Sequence, residues 1–72
     1  MDILLFKTNV DKRDLPVLQM AMNSVAGVKK WTIDLDDCDK VLRITCRHVS
    51  EIYIEVLLKS EGFECTPMTY EI

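Results

Sequence analysis

Apolar side chains recur along this chain at two different spacings, and the switches between them mark out its elements. Ile3 to Thr8 is a β-rich run and reads as a first strand. The polar and charged residues that follow, as far as Asp14, read as a loop. Leu15, Leu18, Met22 and Val25 then return at helical spacing and make one apolar face. Asp14 or Leu15 is expected to cap this helix. Pro16 suits its first turn, where a missing N–H costs nothing. Gly27 is expected to end the helix by accepting a left-handed conformation. From Val28 to Asp36 the period becomes two, with Trp31, Ile33 and Leu35 on one side and Lys30, Thr32 and Asp34 on the other. Asp36-Asp37-Cys38-Asp39-Lys40 reads as a hairpin turn. A third strand follows, with Leu42, Ile44 and Cys46 on one face and Val41, Arg43 and Thr45 on the other. Ser50 is a good cap for a second helix that runs to about Glu61 and stops at Gly62. Phe63 to Met68 gives a last short strand, with Pro67 tolerated near an edge or a strand end.

The order is β-α-β-β-α-β. Right-handed crossovers turn it into an α+β fold, the ferredoxin-like sandwich. Its four-stranded antiparallel sheet has the spatial order 4-1-3-2, with both helices on one face. The inward sets agree with that arrangement: Leu4 and Phe6, Trp31 and Ile33, Leu42 and Ile44, and Phe63. Trp31 is expected to be substantially buried beside Leu18 or Val25. The 72 residues make room for one core, so a single domain over residues 1–72 is expected.

Composition narrows the possible partners. The net charge of -3 argues against nucleic acid and against an anionic membrane surface, both of which want concentrated positive charge. No apolar run approaches a membrane span. The first residues pass directly into Ile3-Leu4-Leu5-Phe6 without a signal-peptide pattern, so a cytoplasmic protein is expected. Cys38, Cys46 and Cys65 are odd in number and widely spaced, which is not a disulfide framework and contains no CxxC pair. No nucleophile has a base at recognisable spacing, so no enzymatic activity and no cofactor are expected.

Leu4-x-Phe6, the loop, Leu18-x-x-x-Met22, Gly27-Val28, Ile33-x-Leu35, Leu42 and Ile54-x-x-x-Leu58-x-x-x-Gly62-Phe63 together resemble the heavy-metal-associated domain. This is the fold of small copper chaperones and of the N-terminal modules of copper and zinc ATPases. The resemblance runs from about residue 3 to about residue 66. It implies a Gly-Met-x-Cys-x-x-Cys loop before the first helix. Here the two cysteine positions fall on Asp11 and Asp14, the glycine position on Thr8 and the methionine position on Asn9. Hard carboxylate oxygens do not match the soft Cu(I) ion that a thiolate pair holds. The resemblance therefore implies the fold without its thiolate metal site.

Asp11 and Asp14 bracket a helix N-terminus, where the macrodipole favours carboxylates, and two carboxylates are too few for calcium. Asp34, Asp36, Asp37 and Asp39 lack the later glycine and glutamate of a calcium loop and read as a solvated turn. Cys46-x-His48 offers two ligands where a metal site needs more, and alternation turns Cys46 inward. Asp11, Asp14, Cys46 and His48 are thus the residual metal candidates, with no bound metal expected. The second helix carries a wider apolar arc than one sheet face can bury. With Ile54, Leu57 and Leu58 facing the sheet, Ile52 and Val56 lie outside with Tyr53 at the rim. Val17 and Met20 lie off the face of the first helix. The expected function is a binding or interaction module that contacts a protein partner or a second copy through Ile52, Val56 and Tyr53. The alternatives are a metal-binding protein with non-standard ligands and a small-molecule regulatory domain.

Overall fold

The computed structural model describes residues 1–68, and the last four residues of the expected 1–72 unit lie outside the described residues. Strand β1 (Asp2–Thr8) leads through a 3₁₀ turn (Lys12–Asp14) into helix α1 (Leu15–Asn23). Strands β2 (Val28–Ile33) and β3 (Leu42–Cys46) follow, then helix α2 (Glu51–Ser60) and the short strand β4 (Cys65–Pro67). The sheet order is β2-β3-β1-β4, with every pairing antiparallel. This is the ferredoxin-like sandwich expected from the sequence, the order 4-1-3-2 read from the other edge.

Register explains which side chains make the core. Leu4 lies opposite Ile44 and Phe6 opposite Leu42, while Trp31 and Ile33 of β2 meet the same two residues from the other side. One sheet face is therefore continuously apolar. Leu18 and Met22 of α1 and Ile54 and Leu58 of α2 close over it, and all four are buried with Phe6, Leu42 and Ile44. Ala21 faces inward as well and is buried among them.

Both ends of α2 form as the sequence dictates. The Ser50 hydroxyl accepts the Tyr53 backbone N–H at 3.4 Å. At the other end Gly62 adopts φ +92°, which a Cβ would strain. Its N–H donates to the Lys59 carbonyl at 3.0 Å, and the Phe63 N–H donates to the Leu58 carbonyl at 3.0 Å. This pair of bonds is a Schellman ending, and Phe63 packs half-buried against the core just beyond it.

Several details differ from the sequence expectation. Gly27 is not left-handed: Gly62 is the positive-φ glycine among the described residues. Helix α1 ends earlier, at Asn23, and Val25 is buried in the turn that follows. Gly27 is needed for room instead. A Cβ there would lie 2.4 Å from the Arg47 carbonyl oxygen and 2.4 Å from Val49 Cγ2. Trp31 packs against the core but is only half-buried, because β2 is an edge strand and leaves one flank of the indole open. The last strand is shorter than expected and holds Cys65 to Pro67. A register shift between Val28 and Lys30, with Lys29 and Lys30 exposed, guards the free edge of β2 against strand addition.

Gly27→Ala should lower the unfolding free energy by about 2–3 kcal/mol, because the new methyl meets backbone that cannot rotate away. Gly62→Asn should cost under about 1 kcal/mol, since asparagine tolerates the left-handed region. Urea denaturation of the two variants checks the contrast, and equal losses would contradict it.

Candidate functional site

The loop after β1 and the hairpin between β2 and β3 meet at one end of the sandwich. Thr8 stitches them together. Its N–H donates to the Asp39 carbonyl at 3.1 Å, and its hydroxyl donates to the Lys40 carbonyl at 2.7 Å. The same hydroxyl accepts the Val10 N–H at 3.3 Å. Val10 is fully buried and plugs this end of the core. Asn9 Oδ1 accepts the Glu64 N–H at 2.9 Å, which ties the loop to the segment before β4.

Asp11 and Asp14 form a reciprocal pair at the start of the helical segment. The Asp11 N–H donates to Asp14 Oδ2 at 3.0 Å, and the Asp14 N–H donates to the Asp11 carbonyl at 2.8 Å. Asp14 thus satisfies a backbone donor and leaves the Asp11 carboxylate free to face the hairpin. There the Lys40 ammonium hydrogen-bonds Asp11 Oδ1. Lys40 adopts φ +43°, and its side chain is the more sheltered of the pair, 28% exposed against 50% for Asp11. The ammonium, as hydrogen-bond donor and as charge, holds the Asp11 carboxyl below its ordinary value. A cation from the protein itself therefore sits on the Asp11 carboxylate, the first of the two loop aspartates.

The hairpin carries the remaining acidic residues. Asp34 Oδ1 accepts the Asp36 N–H at 3.2 Å and Asp37 Oδ1 accepts the Asp39 N–H at 2.9 Å, so both carboxylates shape the turn. Donor atoms of Asp37, Cys38 and Asp39 lie within 4.8 Å of one another. Asp37 already serves the turn, and Asp39 Oδ2 lies 3.9 Å from Lys7 Nζ. The exposed Cys38 thiol is the member of the three with no role in the turn.

Among the described residues, Cys46 and His48 are not brought together with a third ligand. Cys46 is fully buried in the core, where burial, and secondarily the Asp2 charge, push its thiol up. His48 is exposed beyond the end of β3 with φ +58°. Cys65 is buried too, and burial pushes it up to about 11. On the helix layer, Ile52, Tyr53 and Val56 are 70%, 54% and 61% exposed, on the side of α2 away from Ile54 and Leu58. The sequence did not single out Thr8, Val10 or Lys40 as a group. The one signal was a lysine closing a run of aspartates.

Sheet order and helix placement give the chain a fold like that of the heavy-metal-associated domain. Among solved structures, the chain is similar to the N-terminal domain of ZntA in its Zn(II) form. The TM-score is 0.78 at 12% identity, covering 97% of this chain and 96% of that one. No protein-family model matches the sequence, and no curated protein does.

The Asp11–Lys40 pair makes a pH prediction. Asp11 has a folded pKa lower than its ordinary 3.8, so the unfolded chain binds the proton more readily. The contribution is whole above 3.8 and is lost as the pH falls through the lower folded value. Urea midpoints of wild type and Asp11→Asn should therefore converge below that window and differ above it. A difference that persists unchanged at the acid end would contradict the pairing.

Proposed function

We propose that this chain is a non-catalytic protein-contact module of the cytoplasm, built on the heavy-metal-associated fold with the thiolate metal site lost. One observation carries the reading. Large apolar side chains that the core does not use are gathered on the helix layer: Ile52, Tyr53 and Val56 of α2, and Val17 and Met20 of α1. Met20, Ile52 and Val56 lie on the arc opposite the buried one, with Val17 and Tyr53 at its rim. Such side chains dominate interface energies when a partner covers them, while charges at the rim tune encounter rates. The loop end supports the same reading, because Asp11 is neutralised by Lys40 rather than left open to an incoming cation. No helix among the described residues is long and apolar enough to cross a membrane.

Ile52→Glu and Val56→Glu test the contact surface. Each should change stability by no more than about 0.5 kcal/mol, as exposed positions do. Each should weaken self-association or partner capture about tenfold or more in sedimentation and pull-down measurements. Normal association in both variants would overturn the reading.

Metal titration tests the lost site. In competition with a strong Cu(I) chelator the reduced protein should take up no stoichiometric copper, and Asp11→Cys with Asp14→Cys together should create copper binding. Native mass spectrometry with Zn(II) covers the hairpin. Zinc retained by wild type and lost from Cys38→Ser would replace this reading with that of a metal-binding protein using Asp37, Cys38 and Asp39.

A further inference from the structure

The face of the sheet opposite the helices carries a second feature, which shares only Asp34 and Asp37 of the hairpin with the loop end. Leu4, Phe6, Leu42 and Ile44 fill the core, so the residues between them point the other way. Ile3 and Leu5 of β1, Val41, and Arg43 of β3 line a concavity there, with Asp34 and Asp37 contributed by the hairpin. Its volume is about 700 Å³, inside the range of roughly 300–1,000 Å³ that small-molecule sites occupy. Ile3 is half exposed and Leu5 and Val41 are half-buried, so the floor is apolar.

Around that floor the Arg43 guanidinium and one oxygen of each carboxylate are uncommitted. Arg43 is exposed and, among the described residues, makes no ion pair and no side-chain hydrogen bond. Asp34 and Asp37 each give Oδ1 to a backbone N–H of the turn and keep Oδ2. Each sign excludes a ligand class. A simple anion would meet Arg43 but also both carboxylates. A simple organic cation would meet the carboxylates but also the guanidinium. A second copy of this face fits poorly, because two concave surfaces leave a void whose lining atoms lack partners.

An apolar zwitterion meets all of these demands together. Its carboxylate suits the planar fork of Arg43, its ammonium suits the free oxygens of Asp34 and Asp37, and its aliphatic tail suits Ile3, Leu5 and Val41. We propose that the open sheet face is a binding site for an apolar α-amino acid, held between Arg43 and the Asp34–Asp37 pair over that floor.

The test is an NMR titration of the ¹⁵N-labelled full chain with L-leucine. Saturable shifts are expected at the amides of Leu5, Asp34 and Arg43. Three analogues each delete one element: glycine the tail, 4-methylpentanoate the ammonium, and 3-methylbutylamine the carboxylate. Each should bind at least tenfold more weakly than leucine. Arg43→Gln, and Asp34→Asn with Asp37→Asn, should likewise weaken leucine binding at least tenfold with unchanged thermal melts. The absence of saturable shifts would overturn the proposal. So would an analogue that binds as well as leucine, or an Arg43→Gln protein that binds like wild type. If a variant fails to fold, the analogue series on wild type decides alone.

Discussion

The pairing of β1 with β3 is the constraint on which the rest of the molecule depends. With Leu4 opposite Ile44 and Phe6 opposite Leu42, the two central strands turn their bulkiest apolar residues to the helices. A slip of β1 by one residue would send Ile3 and Leu5 inward and leave Phe6 in water. The burial of Leu18, Met22, Ile54 and Leu58 would be lost with it. The same register carries the end of β1 up to the start of β3, which is why Thr8 reaches the backbone of Asp39 and Lys40. Core, open face and loop end are therefore three outcomes of one alignment.

At the loop end, charge is arranged with little stake in stability. Asp11 and Lys40 are partly exposed, and ion pairs in water-accessible positions stabilise folded proteins weakly. Their effect is on what the loop can accept. A carboxylate near a helix start already enjoys the positive end of the helix, and Lys40 adds a full charge from the opposite loop. A further cation would have to compete with an ammonium held in place by the turn itself. A thiolate pair would offer soft ligands there, whereas this chain offers hard oxygen already in use.

Much of the fold was legible because local signals agreed. The alternation of Leu42, Ile44 and Cys46, the cap at Ser50 and the stop at Gly62 each depend on near neighbours in the chain, and each appears where the sequence puts it. The outward phase of Ile52, Tyr53 and Val56 could also be counted from Ile54 and Leu58. What escaped depends on distant residues. Gly27 is fixed by Arg47 and Val49, which reach it only after β2 and β3 have paired. Lys40 meets Asp11 across 29 positions of sequence. Val10 looks like part of a polar loop until the sandwich closes around it. Trp31 carries the right face for the core, yet its exposure is set by the absence of a strand beyond β2.

The three thiols end up in unequal chemical circumstances. Cys46 and Cys65 are walled in by the core, and burial keeps both in the protonated form that neither attacks electrophiles nor binds metal readily. Cys38 stands at the tip of the hairpin in contact with solvent. Oxidants and alkylating reagents therefore meet, in the folded protein, what amounts to a single-cysteine molecule. Once the core opens, all three sulfurs become available, so the count of modified thiols reports directly on how much of the population is folded.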